Sequence, residues 1–126
     1  MSKQAISTEA APGAIGPYSQ AIEAGGFIFT SGQLGLNPET GQFAEGIEGQ
    51  TRQSLTNLQA ILEAAGAGMD QVVKTTVFLK DMNDFVAMNE VYSSFFLQPF
   101  PARSAVEVAR LPKDALVEIE AVVIKK

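Results

Sequence analysis

The chain of 126 residues contains no cysteine and no histidine. Without cysteine there is no disulfide framework, no thiolate nucleophile and no redox thiol. Without histidine there is no imidazole base, no Ser-His triad and no histidine pH switch. With both missing, the common zinc sites are excluded as well. Positive charge is scarce: nine Lys and Arg stand against fourteen Asp and Glu, for a net charge of −5. That balance argues against a non-specific binder of nucleic acid or of anionic membranes. No apolar run approaches the roughly 20 residues that span a bilayer. The stretch Met1–Glu9 has no apolar segment of the signal-peptide kind, and the lack of cysteine makes a cytoplasmic, reducing location the expectation. The glycine-rich segments match neither the dinucleotide fingerprint nor the P-loop, and neither a cofactor nor a metal is implied. An enzyme with this inventory must work with Arg, Glu or Asp, Tyr, Ser, Asn, Lys, backbone groups and water. That points to a chemically easy reaction, or to none, as in a non-catalytic sensor of small carboxylates.

What is present reads as one domain, residues 1–126, with 46% hydrophobic residues and no repeat or linker. Ala21–Ala24, Gly25-Gly26 and Phe27–Ser31 spell a hairpin with a glycine turn. Asn37-Pro38-Glu39-Thr40-Gly41 is a further turn. From Ile47 to Ala65 the period becomes helical. Leu55, Leu58, Ile61, Leu62 and Ala65 form the apolar stripe, with Arg52, Gln53, Asn57, Gln59 and Glu63 off it. Gln71–Lys80 returns to strand composition, with Val73, Val77 and Leu79 on one face and Val72 and Phe78 on the other. Asp81 or Asn83 can cap a second helix running to about Phe96, whose stripe carries Phe85, Asn89, Tyr92 and Phe96. Two strands close the chain, Ala102–Ala109 and Ala115–Ile124, joined by the Leu111–Asp114 turn. The order predicts an α+β fold, a six-stranded mixed sheet with two helices packed on one face. Leu116, Val122 and Ile124 leave the other face too apolar for water, and a homo-oligomer is expected to cover it.

Arg103, one of only three arginines, sits where Pro99-Phe100-Pro101 runs into a strand. Its planar fork suits a carboxylate partner. If the last two strands pair, that partner is Glu118 or Glu120; otherwise it is the carboxylate of a small substrate. Asn89 on an apolar stripe must find hydrogen-bond partners, whether backbone or ligand. Tyr18 lies on a loop stiffened by Pro17, and Gly32, after Ser31, allows close approach to the backbone. Packing explains an isolated tyrosine, and turn chemistry a Ser-Gly pair, equally well.

In their order and spacing, certain segments together resemble the reactive-intermediate deaminase family, also called the YjgF/YER057c/UK114 family. They are Ile15–Ala21, Thr30–Leu34, Asn37–Gly41, Val73–Leu79, Pro101-Ala102-Arg103-Ser104 and Val117-Glu118-Ile119-Glu120. The resemblance covers about Ala5 to Ile124. It implies a trimer with a barrel-like centre and clefts between subunits. It also implies hydrolysis of enamine and imine intermediates, such as 2-aminoacrylate, to 2-keto acids and ammonia. By motif, Arg103 would hold the substrate carboxylate and Glu118 would orient or activate water. Tyr18, Ser31, Gly32, Asn89 and the backbone around Ala105 would line the cleft. An iminium is already electrophilic, so orientation, water and modest acid–base help suffice. Ala105 stands where many members carry cysteine, and Phe96–Pro99 looks shorter than in some of them. Other members are described as ribonucleases, translation inhibitors, chaperone-like proteins or ligand-sensing regulators.

Overall fold

A computed structural model describes residues 2–126. Among them are, in chain order, β1 (Gln4–Ile6), β2 (Ala21–Ala24), β3 (Phe27–Thr30), β4 (Gln33–Leu34), α1 (Gly46–Ala64), β5 (Val72–Leu79), α2 (Phe85–Ser93), β6 (Ala102–Glu107) and β7 (Val117–Ile124). The strands form one sheet in the order β1-β2-β3-β7-β5-β6, with β4 also paired to β7. Only β5 and β6 run parallel, joined through α2; the other pairs are antiparallel. The α+β class, the mixed sheet and the two helices follow the sequence pattern. The strand count is seven rather than six. β1 and β4 span three and two residues, too few to display an alternation.

β7 is the axis of the sheet. Its alternation sends Val117, Ile119, Ala121 and Val123 into the core. There they meet Leu55, Leu58, Ile61 and Leu62 of α1 and Met88 and Tyr92 of α2. Each such leucine contributes about 1.5–3 kcal/mol by leaving water. In β5 the expected parity fails. A bulge between Val72 and Lys74 places Val72 in the core with Thr75, Val77 and Leu79, and leaves Val73 41% exposed. One inserted residue is enough to reverse the faces on one side of a bulge.

Asn57 departs from its expected place off the buried stripe. It is fully buried, donating to the carbonyls of Leu34 (3.1 Å) and Leu36 (2.9 Å) and accepting from Gln53. Beside it Ser54 donates to the Gln33 carbonyl at 2.7 Å, and Gln50 accepts from the Leu116 N–H at 2.9 Å. Ser54 and Asn57 thus tie α1 to the segment that carries β4, and Gln50 ties it to the residue that leads into β7.

The second face of the sheet has no helix. Directly paired residues share a face, so the register sets Phe29 beside Val122, Phe27 beside Ile124, and Phe78 between Glu118 and Val106. Phe27, Phe29, Val106 and Ile124 are exposed there, as the sequence led us to expect for Ile124. Leu116 lies just before β7, outside the strand.

Candidate functional site

The edge of β7 is paired twice, by β3 at one end and by β4 at the other. Between them the ladder breaks at Ser31-Gly32. At the break Thr30 Oγ1 accepts from the Ala121 N–H at 3.0 Å, a side chain standing in for a ladder carbonyl. Ser31 is fixed from the other side: its N–H donates to the Gln20 carbonyl (2.9 Å) and its hydroxyl to the Ser19 carbonyl (2.6 Å). Gln20 is itself buried. Its Oε1 accepts from the Thr8 N–H (2.7 Å), and its amide donates to the carbonyls of Thr8 and Pro12. One glutamine thus holds residues 8–12 against the break.

Glu118 lies in the gap this leaves. A Cβ on Gly32 would come within 2.7 Å of the Glu118 Cδ and 2.8 Å of Oε2, so only glycine lets the carboxylate lie against this backbone. Burial, and secondarily the charge of Glu120 two residues on, push the Glu118 carboxyl above the usual glutamate range. The surrounding cleft, about 730 Å³, is lined by Tyr18, Ser31, Gly32, Leu36, Lys113 and Glu118 among others. Lys113 reaches it from a strained turn in which Lys113 (φ 56°) and Asp114 (φ 58°) are both left-handed.

Arg103 is elsewhere. β6 pairs with β5 and not with β7, so the expected approach of Arg103 to Glu118 or Glu120 within one chain does not occur. The arginine pairs in register with core-facing Thr75, whereas Glu118 pairs with Phe78 on the open face. The two charges therefore project from opposite faces of the sheet. The Arg103 guanidinium lies 4.8 Å from the Tyr92 ring centre and 5.4 Å from that of Phe85. Its Nη1 donates to Asn89 Oδ1 at 2.6 Å. Among the described residues no carboxylate is within ion-pair distance of it. Tyr92 is held in turn by a 2.7 Å hydrogen bond with Thr75. Burial raises its phenol above the ordinary value, opposed by the Thr75 bond and by Arg103. A second, smaller cleft of about 330 Å³ opens here, bounded by Asn89, Ser93, Phe100 and Pro101 as well.

The residues singled out from sequence thus fall into two groups. Tyr18, Ser31, Gly32 and Glu118 share one cleft, while Arg103 and Asn89 share the other. Ala105 packs against the core two residues beyond Arg103. Gln20 and Ser54 carry no individual expectation from the sequence and Asn57 is expected off the buried stripe, although Gln50, Ser54 and Asn57 recur at helical spacing and form a second, polar stripe.

A family model described as Endoribonuclease L-PSP matches residues 8–125. The chain belongs to this family. It is 58% identical to a RutC family protein of Pyrococcus horikoshii, over 98% of this chain and 99% of that one. It is 54% identical to the 2-iminobutanoate/2-iminopropanoate deaminase of Salmonella typhimurium, over 96% and 97%. Among solved structures, the YjgF gene product of E. coli superposes with a TM-score of 0.93 at 52% identity, covering 98% of this chain and 99% of that one. E. coli TdcF with bound serine superposes at 0.93 and 47% identity, with the same coverage. The resemblance drawn from sequence motifs leads to the same family, and no helix here is long and apolar enough to cross a membrane among the described residues.

Proposed function

We propose that this chain hydrolyses reactive 2-imino acids, the imine forms of 2-aminoacrylate and 2-aminocrotonate, to 2-keto acids and ammonia. The observation that carries this reading is Arg103. It is bracketed and oriented, yet it lacks a carboxylate partner among the described residues, with donors left for the two oxygens of a substrate carboxylate. The relatives named as imine deaminases supply the substrate class. In the reaction, water adds to the C=N carbon of the protonated imine, and the resulting carbinolamine expels ammonia and leaves the ketone. Glu118 takes a proton from the attacking water and returns it to the amine nitrogen of the carbinolamine; as the C–N bond breaks, the departing ammonia takes the carbinol hydroxyl proton, leaving as ammonium while the C=O forms. A carboxyl raised by burial is better matched to that exchange than an ordinary one.

Arg103 and Glu118 leave opposite faces of one sheet, so a site that uses both takes them from different copies. In the trimer that the family resemblance implies, Arg103 and Asn89 of one subunit would face Tyr18, Ser31, Gly32 and Glu118 of the next. The apolar sheet face carrying Phe27, Phe29, Val106 and Ile124 supplies the surface for such packing. RNA cleavage, which the family description names, finds less support in a chain with net charge −5 and no histidine.

The test generates 2-aminoacrylate with a dehydratase and follows keto-acid and ammonia release. Acceleration by the wild-type protein is expected, and its absence refutes the reading. Arg103→Ala and Glu118→Gln should each be inactive as intact oligomers. Co-refolded in equal amounts they should regain activity, because roughly one site in four then pairs a native Arg103 with a native Glu118 across an interface. No recovery would refute the shared site.

A further inference from the structure

We infer that Phe85 and Tyr92 of α2 are positioning residues: they bracket the Arg103 guanidinium and, with Asn89, fix the direction of its fork, so that substrate affinity is set from the helix. This rests on the reading of Arg103 as the carboxylate anchor. Arginine has a long side chain, and β6 is an edge strand, so a free guanidinium there would sample many rotamers and lose them on binding. Here three contacts remove that freedom beforehand. The Tyr92 and Phe85 ring centres lie 4.8 and 5.4 Å away, within the reach of a cation–π attraction. The 2.6 Å bond to Asn89 Oδ1 then fixes rotation about the fork. The bracket is itself anchored. Tyr92 is buried, its hydroxyl bonded to Thr75 on the interior strand β5, and its ring packs 4.7 Å from that of Phe96. Thr75 is also the register partner of Arg103 across the β5–β6 ladder, so ring and guanidinium are referenced to the same backbone position. Asn89 lies three residues before Tyr92 and four after Phe85, on one helical face.

The experiment separates this role from plain packing. Tyr92→Leu and Phe85→Leu remove a ring face and fill much of its space. Each should raise KM for the imine, and Kd for 2-oxobutanoate measured by calorimetry, by roughly three- to thirtyfold, with kcat changed far less. Tyr92→Phe keeps the face but strands the Thr75 hydroxyl. It should melt lower than wild type and yet restore the KM lost in Tyr92→Leu. A residue that only packs would instead make affinity follow stability across the three variants. Asn89 gives a second readout. Asn89→Asp pairs a carboxylate with Arg103 and should weaken 2-oxobutanoate binding more than Asn89→Ala does. If Asn89 were merely structural, the near-isosteric aspartate would be the milder change.

Leucine variants within twofold of wild-type KM and Kd, with Arg103→Ala still inactive, would overturn the positioning role and leave the anchor standing. Wild-type affinity for 2-oxobutanoate in Arg103→Ala would overturn the anchor and this inference together.

Discussion

Replacing Gly32 with alanine adds one methyl group, and its consequence follows from a single distance. The new Cβ would sit 2.7 Å from Glu118 Cδ and 2.8 Å from Cγ and Oε2. Ordinary contact begins at 3.4 Å, so the carboxylate must retreat by roughly 0.7 Å. Gly32 is outside the left-handed region, so its backbone accepts alanine without strain. What yields is the end of a flexible side chain, at about 0.5–1.5 kcal/mol for a distorted rotamer. The reduced freedom of the unfolded chain offsets about 0.4–1 kcal/mol of that. Net stability should move by less than about 1 kcal/mol, whereas displacing the proposed water-handling group by most of an ångström should slow turnover about ten- to a hundredfold. Gly35→Ala is the control. Its Cβ would meet the Cα and carbonyl oxygen of Gln50 at 2.5 Å, backbone atoms of α1 that cannot step aside. It should lose about 2–4 kcal/mol, read as a fall of several degrees or more in Tm. The assay pairs thermal melts with imine turnover for both variants. Gly32→Ala at wild-type rate would show that the Glu118 carboxylate need not sit where it does. Gly32→Ala as unstable as Gly35→Ala would show that the wall it meets is rigid.

Glu118→Gln separates activity from stability. The folded carboxyl titrates above its unfolded counterpart, so its contribution to stability is full below the ordinary glutamate value, about 4.3, and is lost as pH rises through the raised one. The glutamine variant should therefore melt higher than wild type at pH 7, with the advantage disappearing near pH 4, while turnover falls by about a hundredfold or more. An advantage that grew on acidification would reverse the sign and refute the assignment to burial and Glu120. Lys113→Gly relieves a left-handed residue (φ 56°) next to another (Asp114, φ 58°). It should gain about 0.5–1 kcal/mol in urea denaturation, and a loss would mean that the lysine side chain holds the turn.

Local patterns were legible and long-range adjacency was not. The period of two in β7 and the leucine stripe of α1 gave the core correctly, because each is a run of many residues obeying one constraint. In β5 the bulge at Val72/Lys74 left no mark in the composition, and one residue sufficed to move Val73 out of the core. Asn57 falls off the apolar stripe of α1 in sequence, but the carbonyls of Leu34 and Leu36 that it satisfies belong to a segment more than twenty residues away. The pairing of the last two strands, open on sequence grounds, is decided only by the topology. Leu111–Asp114 reads as a hairpin turn, yet β6 joins β5 in parallel because α2 returns the chain to that edge, and β7 is taken by β3, β4 and β5. Asn89, left between backbone and ligand on sequence grounds, proved to face the guanidinium. Only the juxtaposition of α2 and β6 could decide that.

That strand order also bears on how chemistry and assembly are linked. β6 and β7 flank β5, so they lie about 9.6 Å apart, and Arg103 and Glu118 sit opposite Thr75 and Phe78, three residues or about 10 Å along that strand. Their backbones are thus about 14 Å apart before the side chains diverge to opposite faces. A 2-imino acid with its carboxylate on Arg103 carries its C=N carbon only one bond away, far short of a water on Glu118 of the same chain. No side-chain rotation removes that gap, since the residues between belong to the intervening strand β5. In the proposed oligomer a second subunit would remove it without moving any strand, by presenting its own Glu118 to the β6 edge. Activity that resides in such a junction must vanish with the oligomer, not in proportion to unfolding, and that dependence distinguishes a shared cleft from a site housed in one chain.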